Sequence, residues 1–528
     1  MVREGGDAAA RGWGRWIAVP VHPVLIAGYP ILYLWATNRG EVEEREVIGP
    51  LVISVGVTLL VVAGLIGVGV GRLRAALIGS LVAAQVLLFG YLTDALAPLR
   101  ISETRLLLGW LAIGLIAGIL ILRVRRDPRT LTILLNLVSA VLVANSLIAI
   151  VTDEVAEIAR GDQLPAPAAT LTAGRTPATS ATGLRDVYLI VVEDYGSPRT
   201  LGQYLDVHDD GFFDWLTERG FTVLPSTTSN YGRTPLSMAS LLNMTYLDQV
   251  AAAQGPDSAS YAPVNAMVDH SAVAAFLRDR GYLIAQLGSQ YYLTAHSSVA
   301  DVNPVFGRTS DYQTVLYQST ILPAIAGRLG LEDAFTERKV NDEAYRWELA
   351  TFPSLRDLAG PKFVLTHLFL PHHPWIVDED GHYISAAADK KRTPTERYDA
   401  QWREVDRQVR AMLEPLLQGP EASRPIILLT TDEGPNPEGM ATIDGDLDWS
   451  HATDAQLDQK FGIFAAYYLP GVDSSSLSPT MSSVNAFRFI FDRYFDAGLE
   501  LLPDRSWIHQ DKHHPYVLTD ITDRLPGH

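Results

Sequence analysis

Three apolar runs in the second half of the chain each end in side chains that can hold a cation or move a proton. Residues 187–192 (VYLIVV) run into Glu193-Asp194, and residues 362–370 into Pro371-His372-His373-Pro374. Residues 425–430 (PIILLT) run into Thr431-Asp432-Glu433-Gly434. Paired acids at a strand end also serve as turn residues, but two such pairs beside a His pair ask for a further reason. Four carboxylates held close together cannot all stay ionised without a cation, so a divalent metal is the economical partner. Cysteine is absent. That excludes disulfide scaffolds, thiolate zinc sites, Fe–S clusters and Cys nucleophiles.

A continuous β-branched run such as 187–192 suits a strand buried on both faces. Further strands are predicted at 221–224, 282–287 and 461–469. Helices are predicted at 211–220, 237–242, 273–280, 396–417 and 483–495. Strands alternating with helices imply an α/β domain with a mostly parallel sheet. Such sheets place their sites at the carboxyl ends of strands, where the acids and imidazoles fall. Residues 507–528 read as irregular and His-rich, with no element assigned.

The first part of the chain is of another kind. Residues 1–151 hold thirteen Arg, no Lys and nine acids, a net charge of +4 within a chain of net −18. Five apolar stretches, at 16–35, 48–70, 75–92, 106–122 and 131–151, are each about long enough to cross a ~30 Å hydrocarbon core. Arg residues in the flanks favour a cytoplasmic N-terminus by nine to four, because basic loops stay inside. With five spans, everything after residue 151 lies outside the cell membrane. His22, Gln85, Asn136 and Asn145 are read as interhelical hydrogen-bonding groups. Residues 161–183, rich in Ala, Thr, Pro and Gly, read as a tether. The expected organisation is therefore a multi-pass transmembrane domain at 1–151, a linker at 152–185 and an extracytoplasmic α/β domain at 186–528. The acidic outer domain is a poor match for nucleic acid, whose phosphates need a basic surface.

The segments VYLIVVEDYG, SNYGRTPLSMASLLN, HLFLPHHPW and LLTTDEG occur in the order of the alkaline phosphatase superfamily, which includes sulfatases. Five spans followed by an outer domain resemble lipoteichoic acid synthase and related phosphoglycerol transferases. The resemblance implies an alkaline-phosphatase-like fold and a role for each matched residue. Glu193 and Asp194 match the acids after the first strand, and Asp432 and Glu433 the metal pair after a later one. Thr234, in Asn230-Tyr231-Gly232-Arg233-Thr234, matches the nucleophile, which is also a metal ligand. His372 matches the substrate-binding His. Arg233 is positioned to contact phosphate. A Thr at that place also suits a helix N-cap, and Ser237 is the second candidate nucleophile. His367 and His373 are read as packing or supporting residues.

Two departures matter. The family has His or Asn where this chain has Glu433, with His451 a candidate replacement imidazole. The sulfatase C/S-x-P-x-R motif is not present, since the segment reads Thr234-Pro235-Leu236-Ser237-Met238. An all-oxygen donor set favours one Mg²⁺, Mn²⁺ or Ca²⁺ over zinc. The expected protein is a metal-dependent transferase or hydrolase of phosphoryl head groups, acting on a membrane lipid or envelope polymer through Thr234. The alternatives are a sulfatase-type ester hydrolase and a non-catalytic envelope-binding relative. Oligomeric state is not legible.

Overall fold

The computed structural model describes residues 19–526, with 39–41, 43, 124, 162–183, 208–210, 308–309, 332–335, 438–448 and 450 outside the described set. The tether falls outside it, as do Arg3, Arg11, Arg15 and Arg39, which carry part of the orientation argument. The chain divides into two units. One comprises Met1–Ala156 with Thr309–Glu337, the other Glu157–Arg308 with Arg338–His528. The return of 309–337 to the first unit has no counterpart in the sequence reading.

Among the described residues of the first unit the five-span count is not reproduced. Three helices, Glu44–Gly67, Glu103–Arg123 and Arg129–Thr152, are long and apolar enough to cross a membrane. A fourth span results if Arg72–Leu87 and Phe89–Leu99, bent by 53° at Leu88, are taken as one. Among the described residues the first apolar run forms the 16-residue helix His22–Thr37. Pro23 sits in its first turn, where a missing N–H costs nothing, and at 1.5 Å per residue it falls short of the ~30 Å core. Its start is held by Asn136, whose Oδ1 accepts from the Val21 and His22 N–H groups at 3.1 and 3.0 Å. His22 Nδ1 lies 2.6 Å from Ser80 Oγ. These polar groups tie helices together, as expected for buried donors in an apolar setting.

The second unit is built on a six-stranded sheet of order β2-β6-β5-β1-β4-β3. The strands are β1 (Val187–Val192), β2 (Thr222–Leu224), β3 (Leu283–Leu287), β4 (Lys362–Leu368), β5 (Ile426–Thr430) and β6 (Ala465–Tyr468). Every residue of β1 is buried. Val187, Leu189 and Val191 enter one core with Phe276 and Phe487. Tyr188, Ile190 and Val192 enter the opposite core with Trp402 and Phe464. That alternation is the period of two of a strand covered on both faces. Each such side chain contributes roughly 1.5–3 kcal/mol of burial, which makes β1 the centre of the sheet.

The sheet is mixed. β1 runs parallel to β4 and β5, and β3 parallel to β4, whereas β6 runs antiparallel to β5 and β2. A buried apolar run looks the same in either direction, so the pattern could not show the reversal. Its consequence is local. The connection from β5 to β6 begins and ends at one edge of the sheet, so the helix Asp454–Phe461 within it stays beside the carboxyl end of β5. The C-terminal segment read as irregular forms a second small sheet, β7 (Trp507–His509) antiparallel to β8 (Leu518–Asp520).

Candidate metal and phosphoryl-transfer site

The parallel register Val192↔Leu368 and Val191↔Thr430 brings the ends of β1, β4 and β5 to one edge. Glu193 continues β1, its N–H donating to the Leu368 carbonyl at 3.0 Å. Asp194 then takes φ +52°, a left-handed conformation that Asp tolerates better than most residues. The turn is braced from the helix Pro394–Leu416, where Tyr398 Oη donates to the Asp194 carbonyl at 2.9 Å. The same helix fixes the Pro371–Pro374 turn. Gln401 Nε2 donates to the Pro371 and His372 carbonyls at 3.0 and 2.7 Å.

Thr234 opens the buried ten-residue helix Thr234–Asn243, for which Arg233, in extended conformation, is the N-cap residue. Thr234 is thus not the cap. Its Oγ1 donates to Glu193 Oε1 at 2.9 Å. The helix N-terminus directs partial positive charge toward this corner. Ser237, by contrast, spends its hydroxyl on the Tyr231 carbonyl at 2.6 Å. Arg233 stacks over Tyr261, its guanidinium 5.0 Å from the ring centroid.

The candidate residues fall into two groups. Glu193, Asp432 and His367 are all buried and offer ligand atoms within 4.8 Å of one another, a geometry able to hold a metal ion. His367, read from sequence as a packing residue, is at the centre. Its Nε2 lies 2.5 Å from Glu193 Oε2, and its Nδ1 3.0 Å from Thr294 Oγ1. The signal for it was present in the sequence, since His367 precedes the end of β4 by one residue and so shares the edge. The second group is Asp194, His372 and His373, with His372 Nε2 3.8 Å from Asp194 Oδ2. His372 Nδ1 contacts the His373 carbonyl oxygen. A carbonyl only accepts, so Nδ1 carries the proton, and in the neutral ring Nε2 is bare. Burial lowers the His372 pKa to about 4, which keeps the ring neutral.

Glu433 does not join the first group. Its Oε1 lies 2.8 Å from Lys460 Nζ, which is also 3.6 Å from Asp194 Oδ1 and donates to Asn436 Oδ1 at 2.6 Å. Lys460 is 1% exposed. It comes from the β5–β6 connection, and Gly434 permits the approach. A Cβ at Gly434 would lie 2.5 Å from the Gln459 carbonyl oxygen, and the Gly434 N–H donates to the Lys460 carbonyl at 2.7 Å. Sequence reading missed Lys460, because nothing local marks a lysine in an amphipathic helix as buried.

Electrostatics show what the site lacks. Burial, and then the charges of Asp194 and Glu433, push Glu193 well above the usual carboxylate range. Burial and the Glu193 charge push Asp432 up to about 8. Burial lowers His367. Against its own burial, Lys460 is held charged by Glu433 and then Asp194. Asp194 Oδ1, Asp432 Oδ2 and Glu433 Oε2 are buried with no hydrogen-bond partner. Four buried carboxylates and one buried ammonium leave an excess of negative charge that only protons or a bound cation can relieve. His509 of β7 is a further buried imidazole at this corner. Burial, and then the charges of Arg233 and Lys460, push it down to about 3. His451 is exposed and, among the described residues, belongs to no metal-capable group.

No protein-family model matches the chain, and no curated protein matches it. Among solved structures it is similar to the C-terminal periplasmic domain of EcEptC from Escherichia coli, at 13% identity and a TM-score of 0.43, covering 67% of this chain and 98% of that one. It is also similar to the integral membrane protein lipooligosaccharide phosphoethanolamine transferase A (EptA) from Neisseria meningitidis, at 13% identity and a TM-score of 0.39, over 90% of this chain and 94% of that one. A phosphonate monoester hydrolase of Agrobacterium radiobacter matches at 14% identity and a TM-score of 0.38, over 61% of this chain and 74% of that one.

Proposed function

We propose that the chain is a membrane-bound, metal-dependent enzyme that transfers or hydrolyses phosphoryl head groups of envelope lipids or polymers, with Thr234 as nucleophile. The observation that carries this reading is the Thr234 hydroxyl, 2.9 Å from Glu193 Oε1, on the group formed by Glu193, His367 and Asp432. The motif order that resembles the alkaline phosphatase superfamily supports it. The donor set fits a divalent ion, since the unpartnered Asp432 Oδ2 and the raised carboxylates ask for one. Glu193, Asp432, His367 and Thr234 would hold it. The imidazole removes the all-oxygen basis for preferring Mg²⁺ or Ca²⁺, and a mixed nitrogen–oxygen set suits Zn²⁺ or Mn²⁺ as well. Bound there, the ion supplies a lowered Thr hydroxyl pKa and neutralises charge on phosphoryl oxygens.

The protein's own groups do the rest. Thr234 Oγ1 attacks phosphorus as its proton passes to Glu193 Oε1, the P–O bond to the first alcohol breaks, and the departing alkoxide takes a proton from solvent, leaving a phospho-Thr ester. Arg233 and the helix N-terminus balance the charge of the equatorial oxygens, the main demand of phosphoryl transfer. The bare Nε2 of His372 takes the proton of a second alcohol or water as it attacks phosphorus, the Thr234 P–O bond breaks, and Thr234 Oγ1 takes its proton back from Glu193. The outer domain faces the extracytoplasmic side, where envelope substrates are found. One observation favours a binding protein without turnover: Glu433, at the family's His or Asn position, is spent on Lys460. The test is an intact-mass measurement of the purified chain after incubation with phosphodiester lipid. A head-group adduct that maps to Thr234 supports the enzyme.

A further inference from the structure

The segment 309–337 leaves the α/β unit to pack among the apolar helices. Its helix Asp311–Gln318 places Tyr312 and Leu316 in a cluster with Ile31, Leu34 and Val47. Tyr312 Oη donates to the Ile31 carbonyl at 2.9 Å. The next turn meets the break between Arg72–Leu87 and Phe89–Leu96. There the Ile321 N–H donates to the Val86 carbonyl and the Gly90 N–H to the Ser319 carbonyl, both at 2.8 Å. A Cβ at Gly90 would lie 2.5 Å from Ser319 Cα, so only glycine admits the segment. Broken helical backbone in a bilayer must find protein partners, and here 319–321 supplies them.

Beside this insertion lies a cavity of about 560 Å³, inside the usual range of roughly 300–1,000 Å³ for ligand pockets. Ile53, Val57 and Val61 of the candidate span, Ala83 of the bent helix and Leu316 of the insertion line it. Two of the hydroxyls at its wall are spent within the protein. Ser54 Oγ donates to the Ala27 carbonyl at 2.9 Å, and Thr320 Oγ1 to the Tyr317 carbonyl at 2.7 Å. Most of the remaining wall is aliphatic, from Ile31, Val61, Val82 and Val86 among others. Ile53 and Val57 are also 67% and 55% exposed, so the cavity is continuous with the outward apolar face of a helix able to span the membrane.

We infer that this cavity is a binding site for one hydrocarbon chain of a glycerophospholipid, entered sideways from the bilayer and closed on one side by the inserted segment. The site is independent of whether Thr234 is a nucleophile. The full chain, reconstituted in vesicles of phosphatidylglycerol carrying a diazirine midway along one acyl chain, tests it by photolabelling and peptide mapping. Label is expected to concentrate on peptides holding Ala83 and Leu316, above the level on Glu103–Arg123, which faces lipid without lining the cavity. Gly49 lines the cavity, and a Cβ there meets nothing within 4 Å, so Gly49→Phe can fill it. Labelling of those peptides should then fall roughly tenfold, equivalent to about 1.4 kcal/mol. Gly67→Phe, at the end of the same helix with equally open space and beyond its last lining residue, Val61, should leave it unchanged. Label spread evenly over all apolar helices of the wild type overturns the inference, as does labelling in Gly49→Phe equal to wild type. The wild-type distribution decides the matter even if Gly49→Phe does not fold.

Discussion

Lys460 Nζ lies 2.8 Å from Glu433 Oε1, and both side chains are buried. The pair accounts for the chain's main departure from the superfamily pattern. Where the resemblance implies a neutral metal ligand, this chain carries an acid and neutralises it with an internal ammonium. Breaking a buried pair by removing one partner strands the other charge, at a cost of about 3–5 kcal/mol. Lys460→Met should therefore lower stability by that amount in denaturation of the full chain in detergent. Lys460→Met with Glu433→Met should recover most of it. Equal losses in the single and double variants would show that the pair carries no coupling.

Metal removal should make stability depend on pH. In the metal-free protein Asp432 is pushed up to about 8, first by burial and then by Glu193, against about 3.9 when unfolded. A folded-state pKa raised in this way contributes stability that is fully present below the unfolded value and lost as pH rises through the folded one. The stripped protein should lose thermal stability as pH rises from about 4 to about 8, the window between the unfolded and folded values, and little more above it. Added Zn²⁺ or Mn²⁺ should restore more at the upper end, where the ligands are deprotonated. A profile unchanged by metal across this range would contradict the site.

His367 should matter for metal and His373 should not. His367→Gln is expected to weaken metal affinity by about 10–100-fold or more, read by metal content after dialysis and by titration calorimetry. His373→Gln, exposed at the turn, should keep wild-type metal content. The reverse result would move the ion to the group of Asp194, His372 and His373.

A reporter joined after Gly183 should be active only outside the cytoplasm. The nine-to-four bias of flanking Arg carries this expectation through the positive-inside rule. Cytoplasmic activity would remove the access to envelope substrates on which the proposed function depends.

Much of the outer domain was legible because its strands are apolar on both faces and short. The readings at 187–192 and 425–430 fall on β1 and β5 within a residue, and the acids after them meet at one edge. The direction of β6 was not legible, since hydrophobicity carries no polarity, and with it went Lys460, which reaches the site only because the chain turns back there. β7 and β8 were missed because WIH and LTD lie in a polar, His-rich stretch with no apolar run to mark a strand, so His509 stayed unassigned. In the membrane part, five spans are not found among the described residues. Pro23 and the break at Leu88 shorten helices that composition alone treats as continuous.

Thr234 decides the central claim. Its side chain donates to Glu193 rather than capping a helix, so Thr234→Ala removes one hydrogen bond to a charged group, worth about 1.5–3 kcal/mol, and leaves the helix start to Arg233. The most direct measurement is single-turnover release of alcohol from a phosphodiester lipid, with intact mass recorded on the same samples. The wild type is expected to show a phosphoryl adduct on Thr234. The alanine variant, folded by thermal denaturation, is expected to show no adduct and turnover reduced by about 10⁴-fold or more, the scale on which nucleophile removal acts. Wild-type turnover in Thr234→Ala, or an adduct mapped to another residue, would contradict the account.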